Sequence, residues 1–498
     1  MMAVTRSRFA RSGFAWSLCW LTLMQSSFAE RSGPNLSGPN LEALYPEAVL
    51  AASAQHHPQI AAAIARHQQA AGDALAAQGE FDTTFSSTSR ARLSGFWDGR
   101  FSDNQISRQL SGFGARIYGN YRVSGGSFPI YEDESFTNEL GELKAGVLVS
   151  LLRDRTIDAR RFSVSDATLA QEQAQQDLLL ARVSVQRRAL IAYWRWVTQG
   201  YQLRVYEDLL RIARQREKGL QAQVESGARA KIELVENRQN LIRRKELVTI
   251  SRRGFETAAV QLSLFYRDIG GQPIIAHPDQ LPLNADTLVG SLGRGKPAAN
   301  PAGSIGPAPD LSARPELRKL QTAIERVRRD IELRRNNLRP RLDFGVELAR
   351  DLGSVAEGGL SRSGTDTIVS LTFNLPLQRR AARGKLAQSE AKLTELQQQL
   401  RLTQDQLRSE IQSLLLQLDA TRELVGLVEE EVEQAQLLQR AEQQRFANGA
   451  SDFFLVNLRE QAAADAWVRY HRVRFDAAVA QVSYDAAIIN LQRLQLEF

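Results

Sequence analysis

Between positions 381 and 446 the apolar residues recur at steps of three and four. Leu393, Leu396, Leu400, Leu407, Ile411, Leu414, Leu418, Val425, Val428, Val432 and Ala435 form one stripe, with Thr403 and Thr421 in its small polar places. This spacing predicts a coiled-coil seam. At ~1.5 Å per residue such a helix is ~100 Å long, more than a globular domain needs. A second seam covers about 157–224 through Leu178, Ala181, Val185, Ala189, Ala192, Trp196, Leu203, Tyr206, Leu210 and Ala213. After Gly227 the helical period resumes over 232–266, which makes a hairpin with a tight tip. Tyr193, Trp194 and Trp196 are expected to pack between helices.

Elsewhere the period changes to two. Phe113, Ala115, Ile117, Gly119, Tyr121 and Val123 alternate with Arg116, Tyr118, Asn120, Arg122 and Ser124, and a second alternating run covers 142–152. Alternation of this kind predicts strands with one apolar and one polar face. Further strands are expected at about 81–93, 341–349 and 367–377, with Gly/Ser/Asp-rich turns at 97–104 and 124–127.

The two halves share a register. A shift of 222 positions carries Gly227 to Gly449, Ala228 to Ala450 and Gln239 to Gln461. It also carries a defect, because both seams take a step of four where three was due, at Val185–Ala189 and at Leu407–Ile411. A shared stutter argues for one duplicated unit, ordered helix, strand, strand, long helix, tip, return helix. The expected organisation is a signal peptide over 1–29, a flexible leader over 30–40, and a first repeat over 41–270. A linker over 271–310 and a second repeat over 311–498 follow. The first repeat is longer by roughly thirty residues, mostly within 95–127, which reads as an extra extended excursion near the strand loops.

The start of the chain sets the compartment. Arg6, Arg8 and Arg11 precede an apolar run over 14–24, and Ser27-Phe28-Ala29 offers a small-residue cleavage site, so export is expected. Cys19, the one cysteine in the sequence, lies inside that run. The mature chain should therefore hold no disulfide and no thiolate metal site, and Cys19 is badly placed for a lipid anchor. No later stretch is apolar enough for a membrane helix, so any membrane entry would be by strands. Four to five strands per chain cannot close a barrel, and open edges in lipid are prohibitive, so oligomerisation is expected.

Net charge is +7, but the basic residues are spread among acids along helices, which suits a solvated face better than a nucleic-acid surface. His56, His57 and His67 lack a carboxylate or cysteine framework for a metal. No nucleophile constellation or phosphate loop occurs in a fitting context, so neither enzymatic activity nor a cofactor is expected.

The duplicated units, the tips Glu225-Ser226-Gly227-Ala228-Arg229 and Ala447-Asn448-Gly449-Ala450-Ser451, and the strand Leu371-Thr372-Phe373-Asn374-Leu375-Pro376-Leu377 together resemble the TolC family of outer-membrane efflux proteins. The resemblance covers nearly the whole mature chain. It implies a mainly α fold with membrane β structure: a homotrimer whose chains each give four strands to a shared barrel of about twelve, continuous with a periplasmic helical barrel. It also implies an exit duct in outer-membrane lipid whose tips meet a periplasmic adaptor and, through it, an inner-membrane transporter. The adaptor-contact candidates are then Gly227, Ala228, Arg229, Gly449, Ala450 and Ser451.

One departure concerns the constriction. The resemblance puts acidic residues six and nine positions after the second tip glycine, where this chain has Leu455 and Leu458, while the matching first-repeat positions are Glu233 and Glu236. Asp452, Phe453, Leu455 and Leu458 are therefore constriction candidates alongside the two glutamates, and one reading makes Phe453, Leu455 and Leu458 an apolar constriction that gates by dewetting. The competing reading is that Leu455 and Leu458 begin the return-helix seam. Two other functions fit less well: a periplasmic adaptor has a single hairpin flanked by small β domains, and a purely structural coiled coil has no use for the strands.

Overall fold

Six antiparallel strands form a single meander in the computed structural model, in the order β1 to β6. They are β1 (Thr84–Ala91), β2 (Arg100–Gln109), β3 (Arg116–Gly125), β4 (Glu142–Ser150), β5 (Arg341–Asp351) and β6 (Thr365–Asn374). The structure describes residues 42–282, 311–312, 314–355 and 364–496. Of the leading unit, Met1–Glu42, only Glu42 is described, so the signal, the Cys19 reading and the leader lie outside the described residues, as does most of the expected linker.

The helices are α1 (Pro46–His56), α2 (Pro58–Gln78), α3 (Ala159–Glu225), α4 (Lys231–Leu262), α5 (Pro315–Asn336), α6 (Arg380–Ala447) and α7 (Phe453–Ala487). Proline stands at the first turn of α1, α2 and α5, where its missing N–H costs no hydrogen bond. The two longest helices, α3 and α6, have 67 and 68 residues, ~100 Å each. Along α6 the seam is buried at Leu396, Leu407, Ile411, Leu418, Thr421, Val428 and Val432. Packing runs in a row, α4 on α3, α3 on α7 and α7 on α6, while α5 bridges α3 and α6. None of the described helices is long and apolar enough to cross a membrane.

The main core lies where α1, α3, α4 and α7 meet. Tyr193 and Trp196 are fully buried there, Trp196 stacks on Phe255 with ring centroids 5.8 Å apart, and the Tyr193 hydroxyl donates to the Leu44 carbonyl at 2.9 Å. Burial pushes the Tyr193 phenol well above its ordinary pKa. Two distant segments close this region. Leu494 and Leu496 belong to the same cluster as Leu44 and Val185, and the Arg314 guanidinium donates to the Ala486 and Ala487 carbonyls at the end of α7. A cation on these carbonyls caps the helix and complements its dipole.

Within the sheet the register separates two faces. One row joins Ile117, Val147, Val346 and Val369 across four strands, and the next joins Val149, Phe344 and Leu371. The opposite face carries charge: Arg122 meets Asp103 at 3.0 Å, Lys144 meets Glu142 at 3.3 Å, and the Tyr118 hydroxyl donates to Glu347 at 2.6 Å. Strands β3 to β6 have 9–11 residues and an apolar outer face, the length and pattern of membrane-barrel strands. Val147→Arg is accordingly expected to cost ~2–4 kcal/mol near the bilayer midplane, read as a loss of heat-modifiable protein in the outer-membrane fraction.

The strand at Arg100–Gln109 departs from the sequence expectation. The region 97–104 was expected as a turn, yet from Arg100 onward it pairs with β1 and with all of β3. Its outward positions are Arg100, Ser102, Asn104, Ile106 and Arg108, so alternation of polarity is absent and only backbone pairing defines the strand. The extra excursion of the first repeat is thus a paired hairpin, and the sheet holds six strands per chain where the resemblance implied four.

Candidate functional site: the hairpin tips and the helices behind them

At the far ends of the long helices the two tips turn in the same way. Gly227 and Gly449 have φ of +76° and +71°, the left-handed region that favours glycine. The Ala228 N–H returns to the Gln223 carbonyl at 2.9 Å and the Ala450 N–H to the Arg445 carbonyl at 2.8 Å, the six-to-one closure of a Schellman cap. A side chain built on either glycine would meet nothing within 4 Å, so both tips are open to another backbone.

The flanking side chains face inward instead. Arg229 lies over the Phe446 ring at 4.7 Å and pairs with Glu233 at 3.2 Å, while Ser451 donates to the buried Glu442. Of the six tip residues, Gly227, Ala228, Gly449 and Ala450 are left for outside contact, and Arg229 and Ser451 hold the tips in shape.

The constriction candidates are sorted by the same geometry. Asp452 is the N-cap of α7, accepting from the Leu455 N–H at 2.7 Å. Phe453 is 3% exposed, with the Arg216 guanidinium over its ring and Phe446 beside it, so it packs between the hairpins and does not line a pore. Its neighbour Phe454 is 70% exposed and Leu458, one turn on, is 49% exposed. Leu455 is half-buried, and Glu236 is exposed while Glu233 is held by Arg229. The exposed apolar pair at the start of α7 is therefore Phe454 with Leu458, one residue out of phase with Phe453.

Sequence reading missed the most heavily buried charge in this region. Glu460 on α7 is fully buried and takes ion pairs from Arg216 of α3 and from Arg244 of α4, the latter at 3.1 Å. Gln443 of α6 donates to the same carboxylate at 3.1 Å, so all four long helices converge on one side chain. Asn457 accepts from Arg216 at 2.9 Å and from Arg244 at 3.3 Å. Burial pushes both guanidinium groups down to about 10, and the charge of Arg216 adds to the effect on Arg244. Both stay charged at neutral pH. The shift of 222 that relates the repeats sets Glu460 against Arg238, so the repeat pattern held no sign of it.

Residues 310–492 match the family model described as outer membrane efflux protein. That stretch is similar to the outer membrane efflux protein family. It contains β5, β6, both helices of the second hairpin and its tip. No curated protein sequence matches the chain. Solved structures match over most of its length. The outer membrane protein VceC from Vibrio cholerae aligns with a TM-score of 0.61 at 14% identity, over 89% of this chain and 95% of that one. The Campylobacter jejuni CmeC outer membrane channel gives 0.60 at 13% identity, over 91% and 89%. The open-state MtrE outer membrane channel of Neisseria gonorrhoeae gives 0.59 at 12%, over 89% and 88%. Most of the chain thus shares one fold with these three proteins.

Proposed function

We infer that this protein is an outer-membrane exit duct of a tripartite efflux or type I secretion system, passively conducting cargo through a homotrimer. The observation that carries the reading is the direct join of a lipid-matched sheet to ~100 Å helices ending in glycine tips, within a chain whose residues 310–492 match the efflux-protein family model. A single copy leaves surfaces for its neighbours. Strands β1 and β6 are the two free edges of the sheet. At the outer ends of the helix row, α4 exposes Ile232, Val235, Ile242 and Ile250, and α6 exposes Leu402, Leu416, Leu424 and Leu427. Head-to-tail packing of α6 on a neighbour's α4 buries both stripes and closes a ring. Heat-labile trimers extracted by detergent from the outer-membrane fraction are the expected result; soluble periplasmic monomers would refute the reading and favour an adaptor or structural coiled coil.

In this reading Gly227, Ala228, Gly449 and Ala450 meet a periplasmic adaptor, which connects the duct to an inner-membrane transporter. The gate is apolar, made by Phe454 and Leu458 closing by dewetting. Leu458→Ser is expected to raise the closed-state current of the trimer in a planar bilayer several-fold, and an unchanged current would remove the gate from this position.

A further inference from the structure

We propose that the β2–β3 hairpin is a permanent part of the membrane wall, so that three copies close a barrel of eighteen strands through β1-to-β6 pairing between copies. This rests on the trimeric-duct reading above. The alternative is that the hairpin is a surface excursion on a wall of four strands per chain. Four observations place it in the wall.

First, β2 and β3 pair over all ten residues, matching their neighbours in length and register. Second, β4 is fitted to β3: a Cβ on Gly146 would collide with the ring of Tyr118, which passes over that glycine to reach Glu347 on β5. Third, the periplasmic turn of the hairpin is seated on the connection from β4 to α3. Gly114, at φ +60°, leaves no room for a side chain against the Asp154 carbonyl, and Arg161 donates to that carbonyl at 2.5 Å. Fourth, the central polar outward side chains of β1 and β2 satisfy one another, and the outward arginines Arg100 and Arg108 stand near the two ends of β2, where long cationic side chains reach the headgroup levels. Ser87 donates to Asn104 at 2.7 Å and Ser89 to Ser102 at 3.1 Å, which suits a surface where lipid offers no partner.

Barrel diameter grows about linearly with strand number, so this wall is roughly 1.5 times as wide as one built from four strands per copy. The helical section still takes four long helices per chain. The membrane section then forms a flared mouth above a narrower duct.

Nitroxide labels on single cysteines test this in the full-length trimer, in a Cys19→Ser background and phosphatidylcholine bilayers. Collision with oxygen is compared with collision with a water-soluble nickel chelate. Ile106→Cys, Ile117→Cys and Tyr121→Cys should follow the outward reference Val147→Cys, with oxygen favoured. Gln105→Cys, Arg116→Cys and Asn120→Cys should follow the inward reference Lys144→Cys, with nickel favoured, so that the ratio inverts between adjacent positions. If every hairpin site favours nickel while Val147→Cys favours oxygen, the hairpin lies outside the wall and the inference is overturned, with the duct reading intact. If Val147→Cys also favours nickel, the duct reading fails and the eighteen-stranded barrel with it.

Discussion

Glu460→Gln is expected to destabilise the protein by ~3–5 kcal/mol, because it leaves two buried guanidinium groups facing a neutral amide. Desolvation of the arginines remains while the charge that offset it is gone. The loss should appear as a lower thermal midpoint in detergent at pH 7. Replacing the whole cluster, as Arg216→Met, Arg244→Met and Glu460→Leu together, should recover most of that loss, since well-packed apolar groups often match or exceed a buried ion pair. A single variant as stable as the parent would show that the carboxylate is wetted rather than sealed. The cluster also ties the first hairpin to the second just behind the tips, so the single variant should release α7 from α3 locally before the helices melt as a whole.

Trp196→Ala should be about as costly, ~3–5 kcal/mol, by opening a large cavity in the main core. The indole is fully buried, stacked on Phe255 and tilted against Tyr193 at 6.2 Å. Trp196→Phe keeps a ring on Phe255 and should lose much less. Circular dichroism melts of the two variants check the ranking, and equal midpoints would mean that ring stacking contributes little.

The long helices were legible because a helix seam repeats over many turns and each turn adds to the signal. Leu396, Leu407, Ile411, Leu418, Val428 and Val432 are buried along α6 as their spacing predicts. Strand β3 was legible because Ile117, Tyr121 and Val123 alternate with charged and amide residues, whereas β2 carries Ser102, Asn104 and Asp103 on both faces and has no polarity period to read. At the second tip the failure was one of phase. A run such as Phe453-Phe454-Leu455 is apolar at every position, so only the start of the helix, fixed by the Asp452 cap, decides that Phe453 turns inward and Phe454 outward. Glu460 was hidden for a different reason. Its partners lie 244 and 216 residues away, and no local pattern links a lone glutamate on a helix to arginines on two others.

The burial of Leu494 among Leu44, Val185 and Trp196 has a consequence for biogenesis. A chain that emerges from its N-terminus delivers the first hairpin before the second. Ala464, Ala478, Val482 and Ala486 of α7 share that cluster with Leu494 and Leu496, so the core of the first hairpin is complete only once the second hairpin has been delivered. Residues far apart in the chain thus close one core, so the first hairpin is expected to stay open to proteolysis until α7 and the segment after it have joined it.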